Sequence, residues 1–497
     1  MPSQRGLSGC SDRRRFLADG GASFVGLLSE PGTRGRLPEV IPPEFGTLSP
    51  AEQRLWEAFP RGTQVAVAAD APRTVRATVI RSLLLGAREG EPGHRAALNL
   101  RGAEVVGCLD LRQTEIEPAI DLIGCTFDAM PLLSFARLHG VSFEGSTLPG
   151  LDAFAATVLG SLSFVKCTLT GALVVYGAHI SGDLDLDWAR LTADRRPEEL
   201  FGDRTAAVFG DAVEVGRHVY LQGTSATGNV ELADLRVGGT MYGHQGLRVA
   251  GELRLRRAEV AGEINLTDAV LVNPGGVALG AWGLRAGELS LLPARTEGAV
   301  DLQHARVDVL RDDPDRWPAQ LLLNGATYTA LEPVGAGRGR LKWLDLDPAG
   351  YRPQPYEHLA RLLRQNGHET DARTVLLVGQ RRRRRQLSPA GAVWGLLQDG
   401  LVGYGYRPAW AALWLLALTA LGTIVFSLNP PAGGTGGTTF HPLVYTLDLL
   451  IPIVDFGQEH AFGIGGRAQW LAYVLTAMGW ILFTAVAGAV TRTFNRS

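Results

Sequence analysis

Three carboxylates near the C-terminus lie in apolar surroundings, where an ionisable side chain is costly and often functional. Asp448 and Asp455 belong to the short apolar segment 442–456, and Glu459 follows it. This segment is too short to span a bilayer and Pro452 interrupts it, which indicates a re-entrant or interfacial position. A buried Asp448 would need a partner or a proton. We take the three carboxylates as a candidate membrane site; the alternative is an outer-interface segment whose carboxylates are wet.

A second acidic group follows one predicted strand. Asp183, Asp185 and Asp187 alternate along it, so their side chains point outward with neighbours about 6.6–7 Å apart. This spacing approaches that of paired glycosidase carboxylates, and an acidic ladder could also hold Ca²⁺. A solvated strand face is the commoner origin of such a pattern, and a cytoplasmic strand would not meet an extracellular polysaccharide. We therefore expect a solvated face.

A run of five arginines is followed by aromatic residues that favour the lipid headgroup level. Such a run could bind anionic lipid with about 1 kcal/mol per residue near the surface. Nucleic acid is the rival ligand, but no aromatic residues interleave with the arginines, and we predict no nucleic-acid partner. The candidate lipid-binding residues are Arg381, Arg382, Arg383, Arg384 and Arg385, and the candidate interfacial anchors are Trp394, Tyr404, Tyr406 and Arg407.

Two uncharged apolar runs, about 410–428 and about 468–490, each match one bilayer thickness. Arginines precede the first run and follow the second, whereas the loop between the two runs contains a single arginine, Arg467, and no lysine. Arginine-rich loops stay on the cytoplasmic side of a membrane. The sequence therefore predicts a multi-pass protein of the inner membrane, with the lipid bilayer as a partner and both termini in the cytoplasm.

Other patterns resemble known sites but stand in the wrong context. The residues Val-Gly-Tyr-Gly at 402–405 resemble a potassium-channel filter, yet they precede the first apolar run. The pattern G-x-G-x-x-A at 463–468 lacks the strand and βαβ unit of a dinucleotide site. The histidines show no ligand spacing and the four cysteines form no C-x-x-C pair. We assign no catalytic, cofactor-binding or metal-binding residue and expect no cofactor.

The stretch that must position most of the chain is the repeat region 98–331. Outward residues and leucines alternate in it, as in 98–105 and 252–262. The unit recurs roughly every 10–11 residues, with a coil at about twice that length. No unit can bury its leucines alone, so neighbours must stack. The pattern predicts a mainly β fold, a right-handed, pentapeptide-like parallel β-solenoid. It is interrupted at 194–204, where we expect a loop or short helix, and at 273–281, where we expect a widened turn.

The rest of the chain divides around this solenoid. We predict a disordered segment at 1–47, a helical N-terminal cap at 48–95, the solenoid at 96–347, a helical hairpin cap with the basic run at 348–386, and the membrane region at 387–497. In the N-terminal cap we expect one helix that begins after the cap residue Ser49 and a second helix over 72–85. The second helix of the hairpin should cover 369–380 and end before the basic run. Arginines 13–15 mimic a twin-arginine export signal, but no adequate apolar stretch follows them. The net charge of −2 gives no global field for a polyanion.

Several motifs together resemble a known family. They are Leu-Trp-Glu-Ala-Phe-Pro at 55–60, the Gly-x-Leu-x-Leu repeats, Tyr-Arg-Pro-Gln-Pro-Tyr at 351–356 and the segment 402–408 before the apolar runs. The chain is similar to actinobacterial pentapeptide-repeat-like membrane proteins, often labelled membrane-associated oxidoreductases. This resemblance implies a solenoid with a membrane tail and helical transmembrane segments. The oxidoreductase label brings no motif that this sequence contains.

Three functions follow from these observations. The first is a non-enzymatic, membrane-anchored interaction platform that presents the solenoid to an unknown protein or lipid partner. The second is an oligomeric two-span channel or transporter, lined by Asp448 and Asp455, which would require a homo-oligomer. The third is an oxidoreductase, on the family label alone. We favour the first because the sequence shows a long regular surface and no catalytic constellation.

Overall fold

A computed structural model describes residues 46–68, 72–196, 204–313, 315–333, 339–385, 408–430, 432–434, 439–451, 453–463 and 467–494. The chain divides into two compact units, residues 1–336 with 342–348, and residues 337–341 with 349–497. The first unit is mainly β and the second is mainly helical. The predicted anchors Trp394, Tyr404, Tyr406 and Arg407 and most of the predicted disordered segment lie outside the described residues.

The first unit is a parallel β-solenoid of about 10 turns, as predicted, whereas its right-handed, pentapeptide-like character stays a prediction. Leu162 pairs with Leu184 and Val219 with Met241, so one coil takes 22 residues, two of the predicted units. Each coil contributes to four columns of parallel strands, which we name faces A to D in chain order. Insertions between faces B and C lengthen two of these coils, after Thr192 and after Val272. The first coil, in which Val65 pairs with Leu100, is lengthened after face B by helical residues.

The strands are short in the first coils and merge into longer ones in the last. Face A contains Val65–Ala66, Ala97–Arg101, Ala119–Ile123, Val141–Ser142, Leu162–Ser163, Leu184–Asp185, Val219–Tyr220 and Met241–Tyr242. Face B contains Thr74–Arg76, Glu104–Val106, Thr126–Phe127, Thr147–Leu148, Thr168–Leu169, Arg190–Thr192, Ser225–Thr227 and Arg248–Ala250. Face C contains Leu151–Asp152, Leu173–Val174, Arg204–Phe209, Asn229–Glu231, Leu253–Arg254 and Gln320–Leu322. Face D contains Glu115–Ile116, Arg137–Leu138, Thr157–Val158, His179–Ile180, Glu214–Val215 and Arg236–Val237. Four long strands run through faces D and A, Glu259–Asn265, Arg285–Leu291, Arg306–Asp312 and Thr327–Glu332, and two run through B and C, Val270–Gly280 and Arg295–Asp301.

Inward-pointing aliphatic side chains stack along the solenoid axis and form its core. Each inward position on a face meets the equivalent position of the next coil, and all members of the face A column are buried. Burying such a side chain contributes about 1.5–3 kcal/mol relative to leaving it exposed. The face A column consists of Leu98, Ile120, Val141, Leu162, Leu184, Val219, Met241, Ile264, Leu289, Leu310 and Leu331.

The corners from face A to B and from face C to D place one residue in the left-handed region. Lys166 and Trp188 occupy this position at the A–B corner, and Ala155 and Ala212 occupy it at the C–D corner. Such a φ costs a residue with a side chain roughly 1–2 kcal/mol, because Cβ crowds the following carbonyl.

Replacing Ala212 with glycine should therefore stabilise the solenoid by about 0.5–1 kcal/mol, the strain released less the added chain entropy. Ala212 is exposed with φ +58°, so little packing is lost. Thermal or chemical unfolding measures the difference. The matched control is Ala233→Gly at an ordinary φ, which should destabilise by about 0.5–1 kcal/mol. Equal losses in the two variants would contradict the corner geometry.

The two interruptions of the repeat differ in structure. Within 194–204, where we expected a loop or short helix, strand Asp194–Arg196 pairs antiparallel with Arg204–Phe209. For 194–196 and 204 the loop-or-helix prediction was wrong, because pairing between distant residues decides their conformation; 197–203 lie outside the described residues. At 273–281 the strand continues with a register shift between Val272 and Val277, as a widened turn requires.

The N-terminal residues extend the solenoid with two strands and add helices. Helix Pro50–Ala58 begins at the predicted Ser49 cap, whose hydroxyl accepts from the Glu52 N–H. The predicted second helix over 72–85 was partly wrong. Its first residues form strand Thr74–Arg76, which pairs with Glu104–Val106, and helix Ala77–Ser82 and turn Leu83–Ala87 follow. The β-branched Thr74 and Val75 favour the extended conformation that completes face B.

The second unit contains the predicted helical hairpin and a group of further helices. Helices Pro353–Gln365 and Glu369–Arg385 pack together, and 3₁₀ turns Gly339–Leu341 and, in the first unit, Trp343–Asp345 precede them. The helix was predicted to end before the arginine run, but it includes the run. The remaining elements are helices Pro408–Leu428, Pro442–Leu450, Gln458–Ala461 and Arg467–Phe494 and strands Ala432–Gly434 and Phe462–Gly463.

The predicted spans fall in helices Pro408–Leu428 and Arg467–Phe494, and the predicted short segment contains helix Pro442–Leu450. Glycines allow the three helices to approach closely. A Cβ on Gly422 would overlap Thr446, and a Cβ on Gly479 would overlap the Leu450 carbonyl. Among the described residues, no helix has both the length and the apolar character needed to cross a membrane. The structure thus gives the predicted two-span region no support.

Candidate functional site

Face A carries a group of acidic and aromatic side chains on three consecutive coils. Asp185 pairs in register with Tyr220, and Tyr220 pairs with Tyr242. The two tyrosine rings stack with centroids 5.1 Å apart and planes at 17°. His218 lies beside Tyr220 at 5.8 Å, and His244 beside Tyr242 at 5.8 Å. The solenoid register therefore aligns residues that are far apart in sequence.

The three aspartates are held by main-chain hydrogen bonds. Asp183 Oδ1 accepts from the His218 N–H at 3.1 Å, and Asp187 Oδ1 accepts from the Gln222 N–H at 2.7 Å. Asp185 Oδ1 accepts from the Asp187 N–H at 3.0 Å. Asp185 and Asp187 are thus each fixed through one oxygen, whereas Asp183 Oδ2 also accepts from the Ser161 hydroxyl of the preceding coil at 3.5 Å.

These carboxylates are half-buried, not fully solvated as we expected. Burial raises the pKa of Asp187 to about 6; the hydrogen bond from Gln222 opposes the shift and the Asp185 charge adds to it. Burial also raises the pKa of Asp185. In the part of the chain that the structure describes, no group of three or more His, Cys, Asp or Glu side chains could hold a metal ion. The Ca²⁺ alternative therefore has no support.

The raised pKa of Asp187 predicts a pH-dependent stability. Between pH 4 and about 6, Asp187 is protonated in the folded chain but ionised in the unfolded chain. Asp187 therefore stabilises the fold at low pH, and this contribution is lost as the pH rises through about 6. The free energy of unfolding of the wild type should therefore fall between pH 4 and 7. We expect a smaller fall in Asp187→Asn, because asparagine does not ionise. Denaturant titrations at each pH measure it, with the exposed Asp308→Asn as the charge-matched control. Parallel pH profiles of wild type and Asp187→Asn would contradict the prediction.

An ionic cluster on face C was not identified from the sequence. Glu231 is 1% exposed. Its Oε2 accepts from Arg204 at 2.6 Å, and its Oε1 accepts from Arg254 at 3.1 Å. Arg204 also pairs with Asp211 at 3.2 Å, and Arg254 with Glu252 at 2.8 Å. One sequence signal could have indicated this cluster: Glu231 and Arg254 carry opposite charges and are spaced by about one coil.

Cys125 and Cys167, two of the three described cysteines, are buried and unsuited to redox chemistry. Burial raises the pKa of Cys125 to about 11 and that of Cys167 to about 12. The thiolate is the reactive form, so these thiols stay protonated and unreactive near neutral pH. Both lie in the solenoid interior, where they pack as small apolar residues.

Asp448 holds together the segment that follows its helix. It is 6% exposed, and its two oxygens accept from the N–H groups of Phe456 at 2.7 Å and Glu459 at 2.8 Å. Asp455 is exposed, accepts from the Gly457 N–H at 2.7 Å and lies 3.9 Å from His460. The structure thus brings Asp448 to the main chain of Glu459, whereas Asp455 and the Glu459 side chain face outward.

The arginine run forms the last turns of helix Glu369–Arg385. Arg381 and Arg383 are exposed, whereas Arg382 and Arg384 are half-buried. Cations at a helix C-terminus interact favourably with the helix dipole. The run therefore has a local structural role beside its predicted lipid contact.

No protein-family model, curated protein or solved structure matches this chain. Its class is therefore defined by its own fold, a parallel β-solenoid joined to a helical unit.

Proposed function

We propose that this protein is a non-enzymatic interaction platform held at the inner membrane by its helical unit, with the solenoid and both termini in the cytoplasm. The observation that carries the proposal is the apolar surface of the helical unit. On helix Pro408–Leu428, Leu416 is 69% exposed and Leu428 75%; on helix Arg467–Phe494, Trp470 is 74% exposed. Soluble proteins rarely expose large contiguous apolar patches. A lipid environment would cover these side chains.

The charge distribution supports the same arrangement. The five arginines at 381–385 precede the apolar helices, where an anionic lipid surface would attract them. Aromatic residues such as Trp470 and Tyr473 suit the interfacial level. The resemblance to actinobacterial pentapeptide-repeat-like membrane proteins is a further reason to propose a membrane tail.

The channel alternative would use Asp448 and Asp455 to line a pathway. Both oxygens of Asp448 accept main-chain hydrogen bonds, which favours a structural role for this carboxylate. For an oxidoreductase, the buried, protonated Cys125 and Cys167 supply no reactive thiol. We therefore propose the platform in preference to both.

Fractionation of cells that express the full chain tests membrane attachment. We expect the protein to remain in the membrane pellet after an alkaline carbonate wash. The double variant Leu416→Arg/Ile424→Arg should move it to the supernatant or abolish its accumulation, because arginine is costly inside a bilayer. The control Leu85→Arg changes an exposed leucine of the solenoid unit and should leave the pellet unchanged. Wild-type protein wholly in the supernatant would refute the proposal, and a C-terminal reporter active outside the cell would refute the orientation.

A further inference from the structure

The outer surface of face A combines acidic and aromatic side chains on three successive coils. We name it the acidic–aromatic face, defined by Asp183, Asp185, Asp187, Tyr220 and Tyr242. Register pairing places the Asp185, Tyr220 and Tyr242 side chains in one outward column, with coils spaced about 4.7–4.9 Å apart. The result is a continuous strip of carboxylate and ring surface.

The carboxylates of this face are held in position and can still accept hydrogen bonds from a ligand. One oxygen each of Asp185 and Asp187 accepts a main-chain hydrogen bond. Within the described residues, the other oxygen of each accepts none, and neither carboxylate forms an ion pair with a described arginine or lysine. Asp183 forms an ion pair with Arg217 at 3.5 Å, and the Arg217 side chain is itself 65% exposed. The face thus presents more negative than positive charge, in fixed positions.

The rings beside these carboxylates suit a cation. Tyr220 and Tyr242 stack on each other, and Trp188, which follows Asp187 at the corner, is 55% exposed. An arginine or lysine over such a ring gains about 0.5–1 kcal/mol at an exposed site and more when water is excluded. Carboxylates also pair with guanidinium groups in a two-pronged geometry. Guanidinium is therefore the group that matches both parts of the face.

The spacing of the acids selects the conformation of the partner. Asp185 lies on strand Leu184–Asp185, Asp183 comes directly before this strand and Asp187 lies in the turn after it. Along the extended part of this segment, side chains on one side are about 6.6–7 Å apart. An extended peptide has the same repeat between side chains on one of its faces. Basic residues at every second position would meet the three carboxylates one to one.

We propose that the acidic–aromatic face binds an extended peptide segment with arginine at alternate positions, supplied by a protein partner of the platform. This deepens the proposed function: it rests on the platform role but not on membrane attachment. Other charged groups near the face are Glu144, Arg217, His218, His244 and the exposed Lys166, whose N–H donates to the Asp187 carbonyl. The carboxylates still outnumber Arg217 and Lys166, so the face stays complementary to a cationic segment.

Fluorescence anisotropy with the full chain in detergent tests the proposal. The probe is a labelled Arg-Thr-Arg-Thr-Arg peptide, compared with Glu-Thr-Glu-Thr-Glu. Asp185→Asn/Asp187→Asn should weaken binding at least about tenfold, since it removes two charge-assisted contacts. Tyr220→Leu/Tyr242→Leu should weaken it about threefold or more by removing the rings. The control Glu115→Gln/Asp308→Asn removes two acids elsewhere on the solenoid and should bind like wild type. A single cooperative unfolding transition shows that each variant folds, because Asp187→Asn is itself expected to shift the midpoint with pH.

Three outcomes would overturn the proposal. They are equal binding of the arginine and glutamate peptides, equal binding by wild type and Asp185→Asn/Asp187→Asn, and equal weakening by the control variant. A neutral oligosaccharide such as cellohexaose that binds with the same dependence on these residues would assign the face to sugar instead. None of these outcomes affects the carbonate-wash result, so failure here is distinct from failure of membrane attachment.

Discussion

Replacing Glu231 with alanine should lower the free energy of unfolding of the solenoid by about 3–5 kcal/mol. Glu231 is 1% exposed, and each of its carboxylate oxygens accepts from a different arginine, Arg204 and Arg254. Removing the carboxylate leaves two guanidinium groups partly buried without their shared partner. Such loss of one member of a buried pair costs far more than the pair itself contributes. Urea denaturation followed by circular dichroism measures the effect.

The matched control is Glu214→Ala on face D. Glu214 also contacts two basic side chains, Arg236 at 2.8 Å and His179 at 3.2 Å, but its side chain is 44% exposed. Exposed ion pairs contribute about 0–1 kcal/mol, because water screens them. Glu231→Gln keeps a hydrogen-bond acceptor and should fall between the two. Similar losses for Glu231→Ala and Glu214→Ala would show that burial does not strengthen the face C cluster.

Asp448→Ala should destabilise the helical unit by about 2–4 kcal/mol, because two main-chain N–H groups lose a charged acceptor. Those groups belong to Phe456 and Glu459, so the segment after helix Pro442–Leu450 should loosen first. Hydrogen exchange of residues 453–461 in detergent-solubilised protein measures this loosening directly.

Asp455→Ala is the control for this effect. Asp455 is exposed and accepts one hydrogen bond, from Gly457, so we expect a loss below about 1 kcal/mol. Variants at Asp448 and Asp455 also distinguish a structural role for Asp448 from a role in ion conduction. If Asp448 served an ion pathway, Asp448→Asn would abolish ion flux in liposomes without loosening residues 453–461. We expect no flux in the wild type.

The interior of the solenoid could be predicted from the sequence because its signal is local and repeated. Alternation of leucines in 98–105 and 252–262 specifies strands, and their recurrence specifies stacking. The N-terminal helix start could be predicted for the same reason, since Ser49, Pro50 and Glu52 are close in sequence and cap one turn. Strand Thr74–Arg76 could not, because its conformation depends on pairing with Glu104–Val106.

The candidate site, too, could be predicted from the sequence only where it depends on neighbouring residues. The sequence identified Asp183, Asp185 and Asp187 as outward neighbours, because a strand alternates its side chains. It did not place Tyr220 and Tyr242 beside them, since the coil between Asp185 and Tyr220 is lengthened by the insertion around 194–206. Asp448 was recognised as an unusual carboxylate, but its partners are main-chain groups of a loop that carries no sequence pattern.

By itself, the sequence determined the repeat, its coil length and the positions that point inward, because alternation and periodicity are properties of consecutive residues. Tertiary structure alone decided which charges became buried. Glu231 and Glu214 are both glutamates on strands of the same solenoid, yet one is enclosed and the other is exposed. Burial depends on what the rest of the chain places over a side chain, and that is set by contacts between residues distant in sequence.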